Sequence, residues 1–249
     1  MNTLFPGYGR YSKRMKLKII LLLLSCQTVV YAQNFKFPSL PNQGKSLSEM
    51  IPDKWKILDS VSGDLNQDRA KDIAVILEYH QEIRESRAYG DNTTELITEI
   101  QKPRILAIYF KHKNGYQLAA QNNNFILRSQ EGGALGDPLR PMGIEKNQLS
   151  LSFQGGGEWR WKLKYTFGYQ QKTWTLEKAG NYYYNESTGE LTDKQYDFLN
   201  QKRMVTTGLG HQSRVVNKTV TQDFPISTLR TFQSFKKPWT WEISPDEFL

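Results

Sequence analysis

Trp159-Arg160-Trp161-Lys162-Leu163-Lys164-Tyr165-Thr166-Phe167 alternates large apolar and polar side chains without a break. Side chains leave a β-strand on opposite faces in turn, so this stretch predicts a strand with one face in a core and one in water. Ahead of it, Leu149, Leu151 and Phe153 alternate in the same way, and Gly155-Gly156-Gly157 supplies the intervening turn. After it, Trp174 and Leu176 open a further strand, Tyr182-Tyr183-Tyr184 another, and Thr188-Gly189 a turn. Residues 196–199 and 204–207 read as a hairpin around Asn200-Gln201. Connections this short join antiparallel neighbours, so the second half of the chain reads as a β-meander.

The first half reads as strands too. Residues 55–62 form one, and Ile73-Ala74-Val75-Ile76-Leu77, apolar at every position, predicts a strand buried on both faces. Residues 104–110 and 116–120 pair across Lys113-Asn114-Gly115, where Asn-Gly suits a tight hairpin turn. Residues 80–103 read as a charged excursion and 121–141 as a polar, glycine-rich stretch. Residues 46–51 suit one helical turn, with Ser46 capping and Glu49 three positions on. After Pro225, the spacing of Ile226, Leu229 and Phe232 suggests one or two helical turns, and Trp239 and Trp241 a final docked strand. The expected fold class is all-β: an antiparallel meander, sandwich-like or a propeller fragment, with minor short helices. A single domain over residues 46–249 would follow an extended linker over 33–45, which carries two prolines and a glycine.

Composition agrees. Of 249 residues, 38% are hydrophobic, enough for a core in a chain of this size. The 13 Tyr, 12 Phe and 6 Trp favour strands and exclude a disordered chain.

Residues 1–32 stand apart. From Met15, an alternative start, a basic Met-Lys-Leu-Lys leads into an apolar run from Ile19 and then to Val30-Tyr31-Ala32. These are the parts of a secretory signal cut after Ala32, which points to a periplasmic or secreted protein. The apolar run is short for a bilayer span, so no transmembrane span is expected in the mature form. Leu23-Leu24-Ser25-Cys26 resembles the lipobox of bacterial lipoproteins, which makes a lipid anchor at Cys26 the alternative. A retained anchor or core helix is the third reading.

Removing the leader changes two inferences. Residues 1–32 carry Arg10, Lys13, Arg14, Lys16 and Lys18 and no acid, so the remainder falls from a net charge of +8 to +3. That excludes a nucleic-acid partner as the reason for the basic composition. Cys26 is the sole cysteine, leaving the mature chain without a disulfide, thiol nucleophile or thiolate metal ligand.

One stretch has specific chemistry: Gly63-Asp64-Leu65-Asn66-Gln67-Asp68-Arg69-Ala70-Lys71-Asp72, followed directly by the apolar strand. Oxygen donors at alternating positions of a tight turn suit a hard cation such as calcium. Here they would be Asp64, Asn66, Asp68, the carbonyl of Ala70, and Asp72. At these residues the chain resembles the FG-GAP (also VCBS or integrin-type) repeat, Gly-Asp-Leu-Asn-Gly-Asp-Gly-x-x-Asp. That resemblance implies a loop between two strands of a blade and structural calcium, and it covers about fifteen residues. Arg69 stands where the family has glycine for a positive φ, a substitution that costs about 1 kcal/mol. An Asx-rich turn without an ion is the alternative.

Other constellations carry less. His80, His112 and His211 lack partners at metal-binding or triad spacing. Glu158 has no second carboxylate at a defined spacing, as glycoside hydrolysis requires. The stripe Trp159, Trp161, Tyr165, Phe167 reads as core in preference to a sugar- or base-stacking row. The sequence therefore predicts an exported non-enzymatic binding or structural protein, with an unknown protein or glycan partner and no catalytic residues. A periplasmic immunity-type protein neutralising a secreted toxin, and a hydrolase or carbohydrate-active enzyme, are the alternatives.

Overall fold

The computed structural model describes residues 35–89, 95–210 and 217–249; residues 1–32, read above as a leader, with Cys26 among them, and His211 lie outside them. The strands in chain order begin with β1 (Gln43–Gly44), β2 (Trp55–Gly63) and β3 (Asp72–Tyr79). A separate hairpin follows, β4 (Ile83–Tyr89) and β5 (Glu95–Gln101), then β6 (Arg104–His112) and β7 (Gly115–Asn122). Strands β1-β7-β6-β3-β2 make a five-stranded sheet. A meander comes next: β8 (Leu139–Glu145), β9 (Gln148–Gly156), β10 (Trp159–Gln170), β11 (Thr173–Asn185), β12 (Glu190–Asp197), β13 (Lys202–Leu209) and β14 (Lys218–Asp223). These seven pair in sequence order as the second sheet. A small hairpin, β15 (Glu242–Ser244) with β16 (Glu247–Phe248), closes the chain. Every strand pairing is antiparallel, so the fold is all-β, and no described helix could cross a membrane.

The two sheets pack face to face. Ala74, Ile76, Leu106 and Ile108 of the first meet Leu151, Phe153, Leu163, Tyr165 and Phe167 of the second in one core. Phe125 sits at its centre, with ring centroids 5.2 Å from Tyr165, 5.6 Å from Phe167 and 4.9 Å from Phe235. The opposite face of the five-stranded sheet is buried as well. Val75, Leu77, Ile105, Ala107 and Tyr109 form a second cluster with Leu40 and Met50, onto which Phe35 and Phe37 pack. This second burial is why β3 and β6 carry no polar alternation. Residues 35–42, extended as expected from their prolines, are the cover, held by Gln121, whose side chain meets Leu40 N at 3.0 Å and Pro38 O at 2.8 Å.

Several local expectations hold. Asn114 precedes Gly115 at the β6–β7 turn, where φ is +143° and an added Cβ would lie 2.1 Å from Gly44 O. Residues 47–50 form a 3-10 turn, although the Ser46 side chain bonds to the side chains of Ser48 and Glu49 and does not cap its backbone. Leu163, Tyr165 and Phe167 face the core, whereas Trp159, at the strand tip, is 47% exposed.

Other expectations are corrected. Residues 80–103 are no loose excursion, since β4 and β5 pair along seven residues each. The 121–141 stretch contributes Phe125, Ile126 and Leu127 to the core, fully buried. Trp174 and Tyr182–Tyr184 belong to one strand of 13 residues. Its partner β12 covers only Lys178 to Tyr184, which leaves the backbone of residues 174–176 needing partners on that side. Residues 230–232 supply them: Leu176 N donates to Arg230 O at 2.8 Å, and Phe232 N to Trp174 O at 2.9 Å. That pairing holds the segment extended, so the helical turns expected over 226–232 do not form.

Candidate functional site

The 64–72 loop joins β2 to β3, and its side chains close it from within. Asp64 accepts from Gln67 N (2.7 Å) through one oxygen and from Arg69 N (3.0 Å) through the other. Asn66 accepts from Asp68 N (3.1 Å) and donates to the Asp68 carboxylate (2.9 Å), whose other oxygen accepts from Ala70 N (2.7 Å). Arg69 adopts φ +70° and Gln67 φ +67°. The left-handed turn that glycine makes in the resembling family is therefore made here with side chains present. The hydrogen bonds to Asp64 offset the local cost of about 1 kcal/mol.

Asp72 does something different. It is fully buried, with one oxygen accepting from Leu65 N (2.9 Å) and the other from Lys111 N of β6 (2.9 Å). Burial pushes its carboxyl up, against the lowering effect of those amides and with a further push from Asp68. Asp64, Asn66 and Asp68 thus gather in one turn, while Asp72 anchors that turn from beneath to the neighbouring strand. Among the described residues, no three His, Cys, Asp or Glu side chains come close enough together to hold a metal. The donors suit a hard cation by type. An ion would have to share oxygens already accepting backbone amides, with Asp64, Asn66 and Asp68 its side-chain ligands.

Buried ion pairs occupy places where the sequence shows nothing remarkable by pattern. Arg104, 1% exposed, donates to Glu78 (2.9 and 3.1 Å) and to Asp137. Arg128, fully buried, makes a two-bond fork with Glu85 of β4 at 2.8 and 2.9 Å, tying the β4–β5 hairpin to the core. At the other end, Glu247 receives Lys194, Arg203, Tyr196 and Ser244. Burial pushes the Glu247 carboxyl up, but the hydrogen bonds from Lys194, Ser244 and Tyr196 outweigh it and hold it at about 2. These groups lie apart and are each engaged. His80 meets Lys54 O at 3.1 Å, and His112 borders a shallow depression with Glu49 and Tyr116. Glu158 is exposed at the β9–β10 turn.

The outer face of the seven-stranded sheet is the other candidate; the sequence favours reading its Arg160, Lys162 and Lys164 as a solvated face over a phosphate-binding one. Two adjoining concavities of about 350 Å³ each lie on it and share Lys164, Gly180 and Gln195. One row of paired residues crosses six strands: Ser152, Lys164, Gly180, Gln195, Met204 and Thr221. Gly180 makes the floor, because a Cβ there would lie 2.8 Å from the Gln195 side chain. No family model, curated protein or solved structure matches this chain.

Proposed function

We propose that this chain is an exported, non-enzymatic binding protein whose binding surface is the bare outer face of the seven-stranded sheet. The observation carrying this reading is the inequality of the two sheets: one is covered on both faces, and the other offers a broad face with side chains pointing into solvent. Export rests on the leader read in residues 15–32, with lipid attachment at Cys26 as its variant. In this reading the 64–72 loop belongs to the FG-GAP type and has a structural task. Calcium held by Asp64, Asn66 and Asp68 would tighten the β2–β3 connection. The retained positive φ at Arg69 and the oxygen-only donor set support that assignment.

Two measurements test it. Thermal melts of the mature chain in calcium should exceed those in chelator, and identical melts would remove the ion. For the face, glycan and peptide arrays are probed with the wild type and with Gly180→Trp, which fills the groove floor. Ligands that bind the wild type should be lost from the variant; ligands kept by a folded variant would place binding elsewhere.

A further inference from the structure

We infer that the groove on this face takes an acidic polysaccharide, one bearing carboxylate or sulfate groups along a hydroxyl-rich chain. The inference rests on the preceding assignment of the outer face as the binding surface and adds the chemistry of the ligand.

Charge comes first. The groove is lined by the cations Arg140, Lys162, Lys164, Lys178 and Lys202 and by only two carboxylates, Asp193 and Asp197. Both acids are on β12 and both are engaged, Asp193 with the Gln195 amide (2.5 Å) and Asp197 with Asn200 (2.9 and 3.1 Å). Lys202 pairs with Asp223 outside the lining. Lys164 and Lys178 are exposed, and neither has a carboxylate partner among the described ion pairs. The β8–β11 side of the groove thus presents four cations and no lining acid, which favours an anion with repeated charges.

Shape and lining chemistry choose among polyanions. The groove crosses the strands in mid-sheet over roughly 29 Å, taking about 4.8 Å per strand from β8 to β14. An extended peptide bound there would find no free strand edge to pair with, and Met204 is the one large apolar side chain exposed in the lining. A nucleic-acid strand requires a series of stacking rings, and the lining offers Tyr182 as the one ring standing beside the cations, 5.2 Å from Lys162 Nζ. The remaining partners are hydroxyls and amides: Ser152, Gln154, Thr166, Gln195 and Thr221. Cations for acid groups, amides and hydroxyls for sugar hydroxyls, and one ring for a sugar face make a set suited to an acidic glycan.

The experiment titrates the mature protein by calorimetry with polygalacturonate (carboxylate), a heparin-type glycan (sulfate), neutral dextran, poly-glutamate and an oligonucleotide. Lysine labelling read by mass spectrometry locates contact. The inference expects binding of one or both acidic glycans, with Lys162, Lys164 and Lys178 protected from labelling. K164E/K178E should weaken binding at least tenfold, while K36E/K54E, an equal charge change remote from the groove, should leave it within twofold. Equal losses in both double variants would reduce the effect to net charge and overturn the inference. K164Q/K178Q serves as the milder pair should the reversal unfold the chain. Dextran, poly-glutamate or the oligonucleotide bound in preference, with the same lysines protected, would overturn the ligand class and leave the open-face assignment standing. Acidic glycans bound with no protection of these lysines, or no binding in any arm, would overturn the inference as well; in the first case the open-face assignment falls with it.

Discussion

Strands β3 and β10 summarise two ways of using a sheet in one molecule. β3 lies between β6 and β2 in a five-stranded sheet whose two faces are both packed, one on the partner sheet and one under residues 35–50. Its residues from Ala74 to Leu77 are apolar without alternation and fully buried. β10 lies in a sheet packed on one face only, and its sequence alternates to match, with exposed Lys162 and Lys164 interleaved with buried Leu163 and Tyr165. The first sheet can therefore be read as the scaffold's anchor, and the second as a display surface. Function placed on the second can vary without disturbing the core.

That contrast can be broken by substitution. The largest loss is expected at Phe125, which sits in the core shared by the two sheets and packs on Phe153, Tyr165 and Phe167: Phe125→Ala should cost about 3–5 kcal/mol in urea unfolding. Arg128→Met, which strands the Glu85 carboxylate in the interior, should cost on the order of 3 kcal/mol. Its partner change, E85L with R128M, should recover much of that loss by the same measurement, since the pair's desolvation cost vanishes with its attraction. Asp72→Ala leaves the amides of Leu65 and Lys111 unpaired beneath the loop and should cost about 1–3 kcal/mol.

A pH test sharpens the comparison at the C-terminal hairpin, which is docked on the inner side of β12 and β13. Glu247 is held at about 2 in the folded chain, below its ordinary 4.5, so the unfolded chain takes up the proton first as pH falls. Its contribution is present above pH 4.5 and is lost as pH drops from there towards 2. Unfolding midpoints of Glu247→Gln should be flatter than wild type across that window; parallel curves would remove Glu247 as the source of this pH dependence. The smallest effects belong to the bare face, where Lys164→Ala and Lys178→Ala should stay within about 0.5 kcal/mol of wild type in urea. Losses of several kcal/mol there would mean that this face is structural after all.

Much of this was legible from local pattern. Alternation in residues 149–167 gave the meander, the unbroken apolar run at 73–77 gave a doubly buried strand, and Asn114-Gly115 gave its hairpin. The loop was legible as a turn because Asp and Asn at alternating positions satisfy backbone amides whether or not an ion is present. Several features were hidden for physical reasons. The turns Lys146-Asn147 and Gln171-Lys172 place both residues at positive φ, yet three of the four belong to types that seldom adopt it. Phe125-Ile126-Leu127 is too short a run in polar surroundings to declare itself core. β4 and β5 are charged and gain their order from pairing with each other and from the Glu85–Arg128 fork.

By itself, then, the sequence determined that the chain is all-β, which strands are wetted on one face, and where an oxygen-rich turn lies, because each depends on residues near one another in the chain. Only the tertiary structure decided which sheet is covered twice, that residues 230–232 extend β11's pairing instead of coiling, and that lysines from separate strands line one groove. Those outcomes depend on which backbone groups and faces remain unsatisfied after the strands have paired, and that is known only once the partners are in place.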